Sequence, residues 1–229
     1  NKKVIIFLGN IMELDQNSVM VIHGGGMYGN KQETMDRWCE QFNLLPERVR
    51  SRLVLENCEK CFSIEDCLQV SKKINIPIVF DTHHFECYKD MHPKEIFKDP
   101  SVYIPAILES WKNRGIKPKF HVSEQGSGRR GHHSDFIETI PEYLLEIPKK
   151  YQINIDIMIE AKMKEQAIHR LYKKYPQLNC KVGSFIHKFD FPGKGWVKKH
   201  IKDCDCCSEN TSDIKIKEIK EIKEIKEIK

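Results

Sequence analysis

Five short apolar runs, each closed by an ionisable side chain, constrain this chain more than any other feature. They are SVMVIH ending at His23, SRLVLEN ending near Glu56, IPIVFD ending at Asp81, KPKFHVSE running through His121, and INIDIMIEA ending at Glu160. Their shortness and their Val and Ile content predict buried strands. Between them lie longer stretches with helical spacing, such as KQETMDRWCEQFNLLPERVRS and SIEDCLQVSKKIN. The second carries its own start signal, with Ser63 as N-cap and Glu65 and Asp66 in the first turn. Alternating strand and helix units imply a parallel sheet, so the fold class is α/β.

The position of the reactive side chains selects the shape of that sheet. Each run places its His, Glu or Asp at the carboxyl end, which is the catalytic face of a (β/α)₈ TIM barrel. An open doubly wound sheet would gather its ligands at a switch point, often beside a glycine-rich turn. HGGGMYG lacks both the GxGxxG spacing and the Lys-Ser/Thr of a phosphate loop, and its glycines read as a tight turn away from His23. A full barrel has eight strands in roughly 250 residues. About five βα units are recognisable here, so residues 1–200 read as an incomplete barrel and residues 201–229 as a low-complexity tail. The tail repeats Ile every third residue, which drifts around a helix and builds no stable apolar face. Its CDCC cluster, taken with His200, lacks a second pair at a familiar zinc spacing, and CEKC at Cys58 and Cys61 is likewise a single CxxC.

Composition narrows the setting. The chain has 229 residues, 40% of them apolar, enough for a real core. No stretch of about 18 apolar residues occurs, so no membrane partner is expected. Nine cysteines, irregular in spacing and odd in number, fit a reducing intracellular compartment. The net charge of +5, with basic residues crowded between Lys112 and Arg130, is compatible with nucleic acid without demanding it.

Taken together, His23, Glu56, Asp81, His83 or His84, His121, His132 or His133, and Glu160 form a mixed imidazole and carboxylate set facing one barrel mouth. Packing alone does not need such a set, and its desolvation cost is offset only if cations sit among the carboxylates. Nitrogen and oxygen donors suit zinc, manganese or iron(II). Their number exceeds what one ion uses, so two or three clustered ions are expected, an arrangement suited to phosphate ester hydrolysis.

At these residues the chain resembles the ultraviolet damage endonucleases, TIM-barrel DNA repair enzymes related to endonuclease IV. The resemblance runs in order through VIHGGGMYGNK, RLVLEN, PIVFDTHH, KFHVSEQGSGRRGHHSD and DIMIEAKMKE. It implies divalent metal ions, typically manganese with zinc or magnesium as alternatives. It also implies damaged double-stranded DNA as partner, nicked 5′ to pyrimidine dimers, 6-4 photoproducts or abasic sites. Carried over residue by residue, it makes His23, Glu56, Asp81, His84, His121, His133 and Glu160 the metal ligands, with Glu160 as a bridging ligand. Lys119 matches a catalytic lysine that the family can carry in carboxylated form, and Lys119 and His121, two apart on a strand, share a face. Arg129 and Arg130 in GSGRRG are candidates for gripping DNA phosphates. Strict strand alternation would pair Asp81 with His83, whereas the Asp-x-x-His spacing of the family selects His84 and requires the strand to end or bulge near Thr82.

Two departures accompany the resemblance. The segment KKVIIFLGNIMELD reads as a helix leading into a fourth strand, residue 1 is Asn, and the family's upstream strands with their His-Pro-Gly-Gln-aromatic motif are missing. The chain therefore reads as a carboxyl-terminal portion or one product of a split gene, expected either to aggregate or to depend on a partner such as a separate N-terminal barrel segment. In ENCE, Cys58 stands where the family commonly has further acidic residues. The competing expectations are a truncated, non-catalytic fragment of such an enzyme and a metal-dependent sugar isomerase on the same barrel. Trp38 and Trp111 lie in helical patterns and read as core.

Overall fold

Each apolar run forms a strand in the computed structural model of the chain, which describes Leu14, Asp15 and residues 17–178. The strands are β1 (Met20–His23), β2 (Leu53–Glu56), β3 (Ile78–Asp81), β4 (Lys119–Ser123) and β5 (Asp156–Glu160). They pair in chain order, all parallel, as one sheet. The helix expected before His23 falls almost wholly outside the described residues, as do the low-complexity tail and its CDCC cluster.

Five main helices cover the sheet: α1 (Lys31–Asn43), α2 (Ile64–Ile74), α3 (Thr82–Met91), α4 (Ile104–Trp111) and α5 (Glu165–Lys174). Short helical turns at Glu47–Arg50, Glu142–Leu145 and Ile147–Tyr151 fill the remaining connections. The first long helical pattern is broken after Asn43. Pro46 disfavours helix in the residue before it and instead opens the turn Glu47–Arg50, with φ −58°. Helix α2 begins as its sequence predicts. Ser63 and Asp66 cap each other reciprocally, with Asp66 N–H on Ser63 Oγ at 3.3 Å and Ser63 N–H on Asp66 Oδ2 at 2.8 Å.

The middle strands are buried on both faces, with Val54, Ile78, Val79, Phe80 and Phe120 all fully enclosed. This is the pattern of a parallel sheet under helices. Trp111 closes the core beneath α4, its indole N–H donating to Ile78 O at 2.8 Å, and Trp38 stacks on Phe42 at a centroid distance of 5.6 Å. Strands β1 and β5 are only half-buried, because each has a neighbour on one side only among the described residues.

Register reveals the curvature. His23 lies opposite Glu56, Glu56 lies opposite Val79 two residues before Asp81, Asp81 lies opposite His121, and Ser123, two residues beyond His121, lies opposite Glu160. The functional strand ends thus climb by none, two, none and two residues across successive junctions, an average of one residue per strand. That is the stagger of an eight-stranded barrel with a shear of eight. The fold is of TIM-barrel type, with five of its strands among the described residues.

Candidate metal centre

Glu56 is the hub of the carboxyl-end face. It closes β2 and is 3% exposed. Its Oε1 lies 2.8 Å from His121 Nδ1 and 3.5 Å from His84 Nδ1, and its Oε2 lies 3.3 Å from His23 Nε2. Glu160, at the end of β5, reaches His121 Nδ1 at 3.1 Å with Oε1 and His133 Nε2 at 3.6 Å with Oε2. Two ligand groups result, each with donor atoms within 4.8 Å of one another: His23, Glu56 and His84, and Glu56, Asp81, His121 and Glu160. Glu56 belongs to both.

These groups fit divalent cations. Ligands of one ion stand no more than about 4.4 Å apart, twice a bond of ~2.0–2.2 Å, so sub-ångström closure completes either set. The charge balance points the same way. Burial raises the Asp81 carboxyl above its ordinary range, and the carboxylates of Glu56 and Glu160 add to this against the opposing influence of His84. Burial works against a charged His121, yet its bond to Glu56 and the carboxylates of Glu160 and Asp81 raise its imidazole above the usual value. Three carboxylates thus converge on His121, a concentration of negative charge that a cation neutralises.

Local structure decides between the adjacent histidines. Strand β3 stops at Asp81, whose Oδ1 accepts the His84 N–H at 2.7 Å and so caps α3. The backbone turns helical at Thr82, and strand alternation no longer applies. His84 is brought to Glu56 and also meets Asn57 O at 3.1 Å through Nδ1. His83 instead lies 3.4 Å from Cys87 Sγ through Nε2, one helical turn on, and meets the edge of His133 at 6.4 Å.

His133 arrives from the loop after β4. Gly126 N–H donates to His132 O at 2.6 Å and Ser134 N–H to Glu124 O at 2.8 Å, folding residues 124–134 back on themselves. A Cβ at Gly126 would stand 2.2 Å from His133 O, so this closure requires glycine. His132 is turned away and accepts from Arg129 Nε at 3.1 Å. Arg129 is exposed, whereas Arg130 is engaged by Asp90 of α3. Lys119 is buried on the same strand face as His121, and its ammonium lies 2.7 Å from Asp156 Oδ2, at the opposite end of β5 from Glu160.

Sequence reading overlooked Asn57. It is buried, its Nδ2 donates to Asp81 O at 3.0 Å, and its Oδ1 accepts from Asp81 N at 2.9 Å. One amide therefore fastens the end of β2 to the backbone of the neighbouring Asp81. Its place directly after Glu56 was the available signal, but an amide beside a carboxylate has no distinctive chemistry in sequence. Ser123, the other overlooked residue, donates to Asp81 Oδ2 at 3.4 Å.

Residues 7–190 match the family model described as UV-endonuclease UvdE. A protein of Acanthamoeba polyphaga mimivirus is 38% identical over 181 residues, covering 76% of this chain and 53% of the relative. The UV DNA damage endonuclease of Bacillus cereus is 36% identical over 160 residues, covering 68% of this chain and 48% of the relative. The UV-damage endonuclease of Schizosaccharomyces pombe is 36% identical over 173 residues, covering 73% and 27% respectively. The chain spans about half the length of the first two relatives. Among solved structures, the crystal structure of SacUVDE superposes with a TM-score of 0.60 at 28% identity, covering 78% of this chain and 57% of that one.

Proposed function

The chain belongs to the UV-endonuclease UvdE family, and on that premise we propose that it supplies the metal-binding half of a DNA repair endonuclease. The reaction is hydrolysis of a phosphodiester 5′ to pyrimidine dimers, 6-4 photoproducts or abasic sites, in an intracellular setting. The observation that carries this reading is the sharing of Glu56 by two ligand groups on one barrel face. Two-metal phosphodiester chemistry holds its ions ~3.5–4 Å apart, close enough for both to use one carboxylate. Manganese is the proposed metal, with zinc and magnesium as the alternatives that metal analysis separates. When bound, the ions supply Lewis acidity and acidify water.

The chain's own residues perform the positioning. Glu56 holds the two ligand groups at a fixed separation. Asp81 keeps one oxygen on the α3 N-terminus and offers the other, already oriented by Ser123. Glu160 ties the second group to His133 and so sets the reach of a third position. Lys119, in carboxylated form, is proposed to add to the centre on leaving Asp156, and Arg129 to hold a phosphate of the damaged duplex. The three strands that complete an eight-stranded barrel are proposed to pair along β1 and β5, whether on the same polypeptide or on a separate N-terminal segment.

The test is nicking of supercoiled plasmid with manganese by the purified chain, alone and together with an N-terminal segment that completes its barrel. Irradiated plasmid should relax, untreated plasmid should not, and chelation should stop the reaction. Glu160→Gln should abolish nicking while leaving DNA binding largely intact. Equal relaxation of irradiated and untreated plasmid, or nicking that survives chelation, would refute the reading, and metal binding without nicking would identify a non-catalytic fragment.

A further inference from the structure

The loop joining β1 to α1 places the two largest apolar side chains of its sequence in solvent. It reads Gly24-Gly25-Gly26-Met27-Tyr28-Gly29, and Tyr28 is 79% exposed and Met27 46% exposed. Loops at the carboxyl ends of barrel strands carry substrate contacts. An exposed aromatic there contributes little to the core, so its presence calls for another explanation.

The loop is held at both ends. Gly24 is packed so closely on Phe62 that a Cβ would lie 2.7 Å from its ring. At the far end, Asn30 caps α1 by accepting from the N–H groups of Gln32 and Glu33 at 2.8 and 3.2 Å. Lys31 then anchors the helix to Asp66 and Tyr88, both at 2.9 Å. The Tyr28 ring is itself supported: a Cβ on Gly26 would stand 3.2 Å from Cζ and 3.3 Å from Oη. The hydroxyl end of the ring thus sits beside the bare Gly26 backbone, and most of the ring is open to solvent. It is five positions from His23, at most ~18 Å of extended chain. On DNA rising ~3.4 Å per nucleotide, that is within roughly five base steps of the metal centre.

A flat, open aromatic face on a loop held at both ends, at this distance from phosphodiester chemistry, suits a nucleobase. We propose that Tyr28, flanked by Met27, is a stacking platform for a base that has lost its neighbour beside the lesion. Stacking accepts any base, because every base has a π-face, and damaged duplexes release bases most easily. This inference rests on DNA being the substrate.

The experiment uses the whole 229-residue chain and a duplex carrying 2-aminopurine next to an abasic site, with affinity read by anisotropy and stacking by 2-aminopurine emission. Binding of the unaltered chain should quench the emission, and Tyr28→Phe should preserve the quench. Tyr28→Ala should turn the quench into a rise and weaken binding about tenfold, ~1.4 kcal/mol. Its salt dependence should stay unchanged, because phosphate contacts persist. Gly26→Ala, which crowds the ring without a forbidden backbone angle, should give a partial loss of quench with an unaltered unfolding transition. An unaltered chain that binds without quenching, or a Tyr28→Ala variant that quenches and binds as before, overturns the platform and leaves the DNA reading standing. Failure of the unaltered chain to bind the duplex at all overturns both.

Discussion

Replacing Asn57 by Ala should cost the protein both stability and metal. The side chain's two hydrogen bonds end on the N–H and C=O of Asp81, a residue with no exposed surface. Removing it leaves two buried backbone groups without the partners they have now. Each such orphan costs about 1–3 kcal/mol, so the pair amounts to ~2–6 kcal/mol, a large share of the ~5–15 kcal/mol typical of a folded domain. With a urea slope of ~1–3 kcal/mol/M, the unfolding midpoint of the metal-free chain should fall by about 1–2 M. The same loss frees the end of β3, so Asp81 and the His84 it caps lose their fixed approach to Glu56. Calorimetric titration with manganese should then show at least ~10-fold weaker binding, in line with the loss of a group that orients metal ligands. Asn57→Asp separates the two bonds, because it keeps the acceptor for the Asp81 N–H but sets a carboxylate against the Asp81 carbonyl. An Ala variant destabilised by less than ~1 kcal/mol, with unchanged metal affinity, would refute the clamp.

Three further outcomes are expected. Glu56→Gln should lower the metal content by more than one ion, because two ligand groups share this carboxylate, whereas His23→Ala should spare the second group; elemental analysis of the purified variants decides. Gly126→Ala brings a Cβ to 2.2 Å from His133 O, where ordinary contact begins at 3.4 Å. The closed loop must open by about 1 Å, losing hydrogen bonds worth ~0.5–1.5 kcal/mol each, and His133 should leave Glu160, seen as loss of a metal-dependent shift of its ring protons. The His83 imidazole is held down to about 4, first by burial and then by the charge of Arg130. The unfolded chain binds that proton near 6.5, so between 6.5 and about 4 the unfolded state carries more protons and acidification destabilises the fold. Denaturant midpoints of the metal-free chain should fall through that window, and His83→Gln should flatten the slope.

The agreement between sequence and structure follows the range of the interactions. A strand's Val and Ile content, the Ser63 cap and the break at Pro46 are local, and a local pattern is readable without the fold. The choice of His84 over His83 was not accessible to alternation, because it depends on Asp81 leaving β3 and capping α3. Arg130 looked free in sequence and is engaged by Asp90, forty positions earlier in the chain. Lys119 likewise finds Asp156 across the junction of β4 and β5, a partner that spacing does not announce.

By itself, the sequence determined the order of strands and helices and the reactive side chain closing each strand, because hydrophobic periodicity and caps act within a few residues. Only the tertiary structure decided how those ends meet. The one-residue stagger per strand brings His23, Glu56, Asp81, His121 and Glu160 together although they span most of the described chain. That convergence is a property of hydrogen-bond register between strands, and register arises only when the strands pair.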